Sequence, residues 1–238
     1  MIMNSEEMFS RYSRQIFIDE IGTSGQRKIL NAKVLVVGAG GLGSPVIQYL
    51  AAAGVGILGI ADFDKVELHN LNRQIIHNEK SVGISKVSSA VQFVEALNRH
   101  ITIIPIDEKI DLSNIERIIS RYDLIVDGSD NFSTRYLIND ACVRLKKPVV
   151  YGSILGFSGQ VAVFNYRESK NLRDLFPEPP VDEDTPDCDS LGVLGSLPGI
   201  IGSMMAHLSL KIITDLPVNT NQLTLVDTLD WRFHTIDF

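Results

Sequence analysis

Cysteine is almost missing from this sequence. Cys142 and Cys188 are the only two in 238 residues, so no disulfide framework is available. Neither C-x-x-C pair of a four-thiolate zinc site can be built, and no zinc is expected. A basic excess is missing too. The 22 Lys and Arg face 29 Asp and Glu, for a net charge of −7. Nucleic acid and anionic membrane surfaces are therefore not expected partners. The opening stretch MIMNSEEMFSRYSRQ has no apolar core of a secretory leader, and a reducing cytoplasm is the expected setting. There is no P-loop lysine motif. The five histidines (69, 77, 100, 207, 234) show no ligand spacing, and none is expected to be catalytic. The uncharged stretch 191–210 is broken by glycines, serines, Pro198 and His207. It reads as a glycine turn and then a buried helix over about 198–213, with Pro198 in the first turn, rather than as a membrane span.

What is present is a regular alternation. The first thirty residues read as a helical arm. Strand-like runs follow at 33–37, 57–64, 101–107, 123–130, 148–154 and 159–165, most of them separated by segments of helical period. Ser113 is the expected N-cap of a helix in LSNIERIISRY. This pattern predicts an α/β fold: a Rossmann-like, doubly wound, mostly parallel sheet in a single domain. QLTLVD and DWRFHTIDF close the chain as an expected antiparallel hairpin at the sheet edge. Residues 168–189 lack periodicity and are rich in proline and acid, so a long loop is expected at about 166–190.

In such sheets ligands bind at the carboxyl ends of the strands. Three segments fall at such ends: Gly38 to Gly43, Asp62 to Asp64, and Asp127 to Asp130. They should converge. GAGGLG places Gly38, Gly40 and Gly43 in a G-x-G-x-x-G turn between strand and helix, with Gly41 inside it. Those glycines permit close approach by phosphate, and the helix N-terminus offers free N–H groups. Asp62 lies where an acid can bind ribose hydroxyls, with Asp64 beside it. NAD and ATP fit this much equally well. The cations beyond it favour ATP. Arg73 can grip phosphate bidentately and Lys86 supplies a point charge, as cleavage between the α- and β-phosphates requires. Asp130 could hold Mg²⁺ bridging the phosphates, or cap the helix starting at Asn131.

Taken together, RYSRQ, GAGGLGSP, DFDKVELHNLNRQ, GISK, DGSDNFSTRYLIND, GQV and the glycine-studded GVLG and GIIGS resemble the ThiF/MoeB/HesA group of ubiquitin-activating-enzyme-like adenylyltransferases. The resemblance runs from Arg11 to about Ile213. It implies adenylation, with ATP and Mg²⁺, of the C-terminal Gly-Gly carboxylate of a ubiquitin-like sulfur carrier, ThiS- or MoaD-like, with release of pyrophosphate. The pathway implied is thiamin or molybdopterin biosynthesis. It also implies roles: Gly41 lies against the nucleotide, Asp62 binds ribose, and Asn70, Arg73 and Lys86 bind or polarise phosphates. Asp130 coordinates Mg²⁺, with Asn131 beside it. Arg14 reaches the triphosphate of a neighbouring subunit, so a homodimer is expected. Some relatives carry a C-terminal rhodanese domain; with the sequence ending at Phe238, a separate sulfur donor protein is expected. A tRNA-modifying dehydratase of the same group, an NAD(P)-dependent oxidoreductase and a nucleotide-binding scaffold are the alternatives.

Cys142 lies in the apolar helix INDACVRL and reads as a buried small residue. Cys188 ends the acidic loop between Asp187 and Asp189. Those carboxylates disfavour its thiolate. By family position it is a candidate for covalent linkage to the carrier in the thiamin-type branch, and dispensable in the molybdopterin-type branch.

Overall fold

The computed structural model describes residues 5–180 and 192–238. Two helices, α1 (Ser5–Ile16) and α2 (Gly22–Asn31), precede the sheet. The strands are β1 (Lys33–Val37), β2 (Ile57–Ala61), β3 (Thr102–Ile106), β4 (Leu124–Asp127), β5 (Val149–Leu155), β6 (Ser158–Phe164), β7 (Gln222–Asp227) and β8 (Arg232–Asp237). They form one sheet in the order β3-β2-β1-β4-β5-β6-β7-β8. The first five are mutually parallel and the last three antiparallel. The fold is thus the expected mostly parallel, doubly wound sheet, with antiparallel strands at the C-terminal end.

The parallel strands are apolar at nearly every position because both faces are covered. Val34, Val36, Leu58, Ile60 and Val126 face one core with α3 (Gly43–Ala53), α4 (Lys86–Leu97) and α8 (Ser196–Ile213). Leu35, Val37, Ile125 and Tyr151 face the other, with α5 (Ile115–Ile119) and α6 (Phe132–Leu145). Helix α8 is long and apolar enough by composition to cross a membrane. It packs on α3, β5 and β6 and buries Leu197, Ile201, Met205 and Ile212.

Four local expectations change. Strands β2 and β4 end at Ala61 and Asp127, so Asp62 to Asp64 and Gly128 to Asp130 lie in the loops beyond them. Ser113 does not cap α5. Its N–H and Oγ both donate to Asp111 Oδ1, and Asn114 takes the cap position. Asp130 does not cap α6. Asn131 does, its Oδ1 accepting the Thr134 N–H at 2.9 Å. Within the expected loop a short helix, α7 (Leu172–Leu175), forms because Asn171 and Asp174 cap it reciprocally.

Cys142 is fully buried on α6, and burial pushes its thiol far above the ordinary range. A Cys188→Ser variant should therefore show no thiol reacting with iodoacetamide in the native protein and one after denaturation. Native labelling would mean that α6 opens.

Candidate nucleotide site

The strand order reverses at β1, whose neighbours β2 and β4 run on by opposite routes. The loops after these strands diverge there and leave a crevice. Its cavity is about 730 Å³, lined by Gly38, Gly40, Gly41, Asp62, Asp64, Arg73, Lys86, Asp130 and Asn131 among others. All three strand-end segments do converge.

The glycine turn is held by tight backbone contacts. Gly38 has φ +91° and donates its N–H to Ala61 O at 2.8 Å. A Cβ on Gly43 would lie 1.8 Å from Gly38 O, so helix α3 starts flush against the strand end. The N-cap position, Leu42, makes no side-chain cap hydrogen bond. The Ser44 N–H is nevertheless taken by Gly40 O at 2.9 Å and Pro45 has no N–H, so the first turn of α3 offers little beyond the Gly43 amide, beside a crevice that Gly40, Gly41 and Leu42 line.

Asp62 joins the turn to the next loop. Its Oδ2 accepts the Ala39 N–H at 2.8 Å and its Oδ1 the Asp64 N–H at 2.9 Å. Burial raises its carboxyl above the usual range, and Lys86 opposes that rise. Lys86 is 8% exposed and its Nζ donates to Asp64 Oδ2 at 2.8 Å. Arg73 donates to His69 O at 3.2 Å and Asn72 Oδ1 at 3.1 Å. Asp130 accepts from Asn131 Nδ2 at 3.2 Å.

Not every expected residue lines the crevice. Asn70 is buried, its Oδ1 accepting the Glu67 N–H at 3.0 Å, and its carbonyl accepts the Arg73 and Gln74 amides. It shapes the loop that carries Arg73. Gly43 acts in packing against Gly38. Arg14 is exposed on α1 and does not line this chain's crevice. Cys188 lies outside the described residues.

Three residues emerge that the sequence reading passed over. Arg135 is buried in the crevice wall, donating to Ser129 O at 2.8 Å and Tyr151 Oη at 2.9 Å, its guanidinium 5.1 Å from the Tyr151 ring centre. A cation near a helix N-terminus runs against the helix dipole, a signal available in the sequence. Gln74 is buried beside Gly40, its Oε1 without a partner among the described residues. His77 is buried behind the turn, bonded to Ser89 Oγ at 2.8 Å and Ala39 O at 2.9 Å. Neither residue carried a spacing signal.

Burial lowers the His77 pKa below its ordinary 6.5. The fold therefore prefers the neutral ring. That stability is fully present above pH 6.5 and is lost as the pH falls through the depressed folded value. Wild-type Tm should fall faster than that of His77→Gln as the pH is lowered below 6.5. Parallel Tm curves would exclude His77 as the titrating group.

A doubly wound sheet with a glycine turn, a strand-end acid and buried cations at its switch point defines the Rossmann-like α/β class. Within that class the chain belongs to the ThiF family, which it matches over residues 12–238. It is 49% identical over 211 residues to the adenylyltransferase and sulfurtransferase MOCS3 of Culex quinquefasciatus, covering 89% of this chain and 48% of that protein. It is 43% identical to the SAMP-activating enzyme E1 of Haloferax volcanii, over 96% of this chain and 84% of that one. To the probable adenylyltransferase/sulfurtransferase MoeZ of Mycobacterium tuberculosis it is 44% identical, covering 98% and 60%. The chain spans about half the length of the MOCS3 relatives it matches. Among solved structures, E. coli MccB with ATP shares the fold at TM-score 0.83 and 22% identity, covering 95% of this chain and 71% of that one.

Proposed function

We propose that this chain is an adenylyltransferase of a ubiquitin-like sulfur carrier. It would use ATP and Mg²⁺ to convert the carrier's C-terminal Gly-Gly carboxylate to an acyl-adenylate, releasing pyrophosphate. The observation that carries the reading is the grouping of the glycine turn, Asp62, Arg73, Lys86 and Asp130 around one cavity. The names of the relatives, adenylyltransferases and a SAMP-activating E1, support it.

In this reading the glycine turn receives the phosphates, and Asp62 takes the ribose hydroxyls. The carboxylate attacks the α-phosphorus and the bond to the bridging oxygen breaks. Negative charge then builds on the leaving pyrophosphate, where Arg73 and Lys86 stabilise it. Asp130 suits Mg²⁺, which takes one or two carboxylates and otherwise binds through substrate phosphates. Its carboxylate lies on the crevice wall, whereas of the two carboxylates beyond β2 Asp64 is paired with Lys86 and Asp62 holds the Ala39 and Asp64 amides. Mg²⁺ held there would neutralise phosphate charge. The −7 charge gives a tRNA reading no support.

The decisive experiment is ATP–pyrophosphate exchange with Mg²⁺ and carriers ending in Gly-Gly. Exchange with none of them would sink the proposal. Two further parts of it concern Arg14 and Cys188. Arg14 would act on the partner's nucleotide in a cytoplasmic homodimer. Mixed Arg14→Ala and Lys86→Ala subunits would then regain activity, since one site per mixed dimer is intact; no recovery excludes action in trans. A persulfide on a separate donor protein would displace AMP from the carrier acyl-adenylate, and the Cys188 thiolate would then attack the acyl-bound sulfur and release the donor thiol, leaving an acyl disulfide between Cys188 and the carrier. Cys188→Ser should keep exchange and lose the covalent carrier adduct seen by mass spectrometry; a wild type without that adduct excludes the linkage.

A further inference from the structure

The Ala39 residue of the glycine turn is held from two sides. Its N–H is bound by Asp62 Oδ2 at 2.8 Å and its carbonyl by His77 Nε2 at 2.9 Å. A carbonyl oxygen only accepts, so Nε2 carries the proton. Nδ1 of the neutral ring is then the acceptor and receives the Ser89 hydroxyl proton across 2.8 Å. His77 is 7% exposed and does not line the cavity. Its bond nevertheless has a consequence inside it. In a trans peptide the C=O and the following N–H point in opposite directions. Fixing the Ala39 carbonyl on His77 therefore turns the Gly40 N–H away from the imidazole, and Gly40 lines the crevice.

The same ring couples the turn to a cation. Ser89 stands three residues after Lys86 on α4, on the same helix face. The chain of contacts Ser89–His77–Ala39 ties the helix that carries Lys86 to the turn that carries Gly40. On the other side Lys86 Nζ bonds Asp64, whose N–H bonds Asp62, which bonds Ala39. The loop closes on itself.

We propose that His77 is a positioning residue of the nucleotide site: its Nε2–H on the Ala39 carbonyl presents the Gly40 amide to the nucleotide phosphates, in register with Lys86. This rests on the nucleotide-site reading above. A buried histidine with only a structural role would lower Tm and leave ligand discrimination untouched.

The test compares ATP with adenosine, which lacks phosphates, by calorimetry on the full chain. His77→Leu should weaken ATP binding about 10- to 100-fold, in the range for lost outer-shell partners, and leave adenosine binding within about twofold. His77→Gln, whose amide nitrogen can reach the Ala39 carbonyl, should restore most of the ATP affinity and the KM for ATP. If His77→Leu does not fold, His77→Asn replaces it, being polar but too short to reach Ala39. Unchanged ATP affinity, or equal loss for ATP and adenosine, overturns the proposal. A wild type that binds no ATP overturns the nucleotide reading itself, an outcome distinct from both.

Discussion

Lys86→Ala is expected to lower ATP–pyrophosphate exchange by about 10²- to 10³-fold while leaving the fold intact, roughly 3–4 kcal/mol of lost transition-state stabilisation. The size follows from where the ammonium sits. It is 8% exposed, at the first residue of α4, and stands on a crevice wall that also holds Asp62 and Asp64. Charge held in such a water-poor site is stronger than at the surface, and it needs no rearrangement as the pyrophosphate departs. Removing it does more than delete one cation. Asp64 loses its partner at 2.8 Å, and Asp62 loses the one opposite charge that counters its burial. The wall, where two carboxylates already face one ammonium, becomes more anionic against a polyanionic ligand. KM for ATP should therefore rise as kcat falls. Lys86→Arg should recover little, because a planar fork cannot replace a compact point charge in this packed position. Near wild-type exchange by Lys86→Ala, with a wild-type circular-dichroism spectrum, would remove Lys86 from the chemistry.

The skeleton of this site was legible because period and punctuation agreed. KVLVV followed by glycines and an alanine-rich segment can hardly be anything but a buried strand, a tight turn and a helix. Asp62 at the next strand end followed from the same logic. The misreadings are local and share a cause. At residues 111–114 and 130–131 several short polar side chains compete to cap one helix. Asn131 wins over Asp130 at α6, whereas at α5 Ser113 is drawn to Asp111 and Asn114 holds the cap position without a side-chain cap bond, a choice that composition does not encode. Asn70 read as a phosphate group, and the sequence did not show that its side-chain oxygen also holds the Glu67 amide in the turn that carries Arg73. Residues that act behind the site were invisible for a different reason. His77 meets Ala39 across 38 positions and Arg135 meets Tyr151 across 16. Such pairings arise only once the sheet brings remote segments together. Arg135 alone left a trace, a cation where a helix dipole disfavours one.

Two glycines of the turn should separate folding from binding. Gly43→Ala puts a methyl 1.8 Å from Gly38 O and 2.7 Å from its carbonyl carbon. Both are backbone atoms of a residue at φ +91° whose N–H is fixed to Ala61, so neither can swing aside. The helix must lift off the strand end, opening the packing of Val46, Ile47 and Leu50, all fully buried. Overpacking against backbone of this kind costs about 3 kcal/mol or more. For a chain of this size that is a fall in Tm of roughly 6–12 °C, and nucleotide binding goes with it. Gly41→Ala is a different case. Its methyl would meet the Pro198 side chain at 3.3 Å and Arg73 Cγ at 3.7 Å. A few tenths of an ångström of side-chain movement accommodates it, so stability should change by less than about 1 kcal/mol. The movement falls on Pro198, while Arg73 Cγ stays at ordinary contact distance; the methyl itself adds bulk where Gly41 lines the crevice, so ATP affinity should drop about tenfold or more through misplacement of the ligand. Thermal melts and ATP titrations on both variants read the two effects independently. The turn is one structural unit, yet Gly43 holds it to the sheet and Gly41 shapes what it meets. A Gly41→Ala variant that unfolds, or a Gly43→Ala variant that melts like wild type, would break that division.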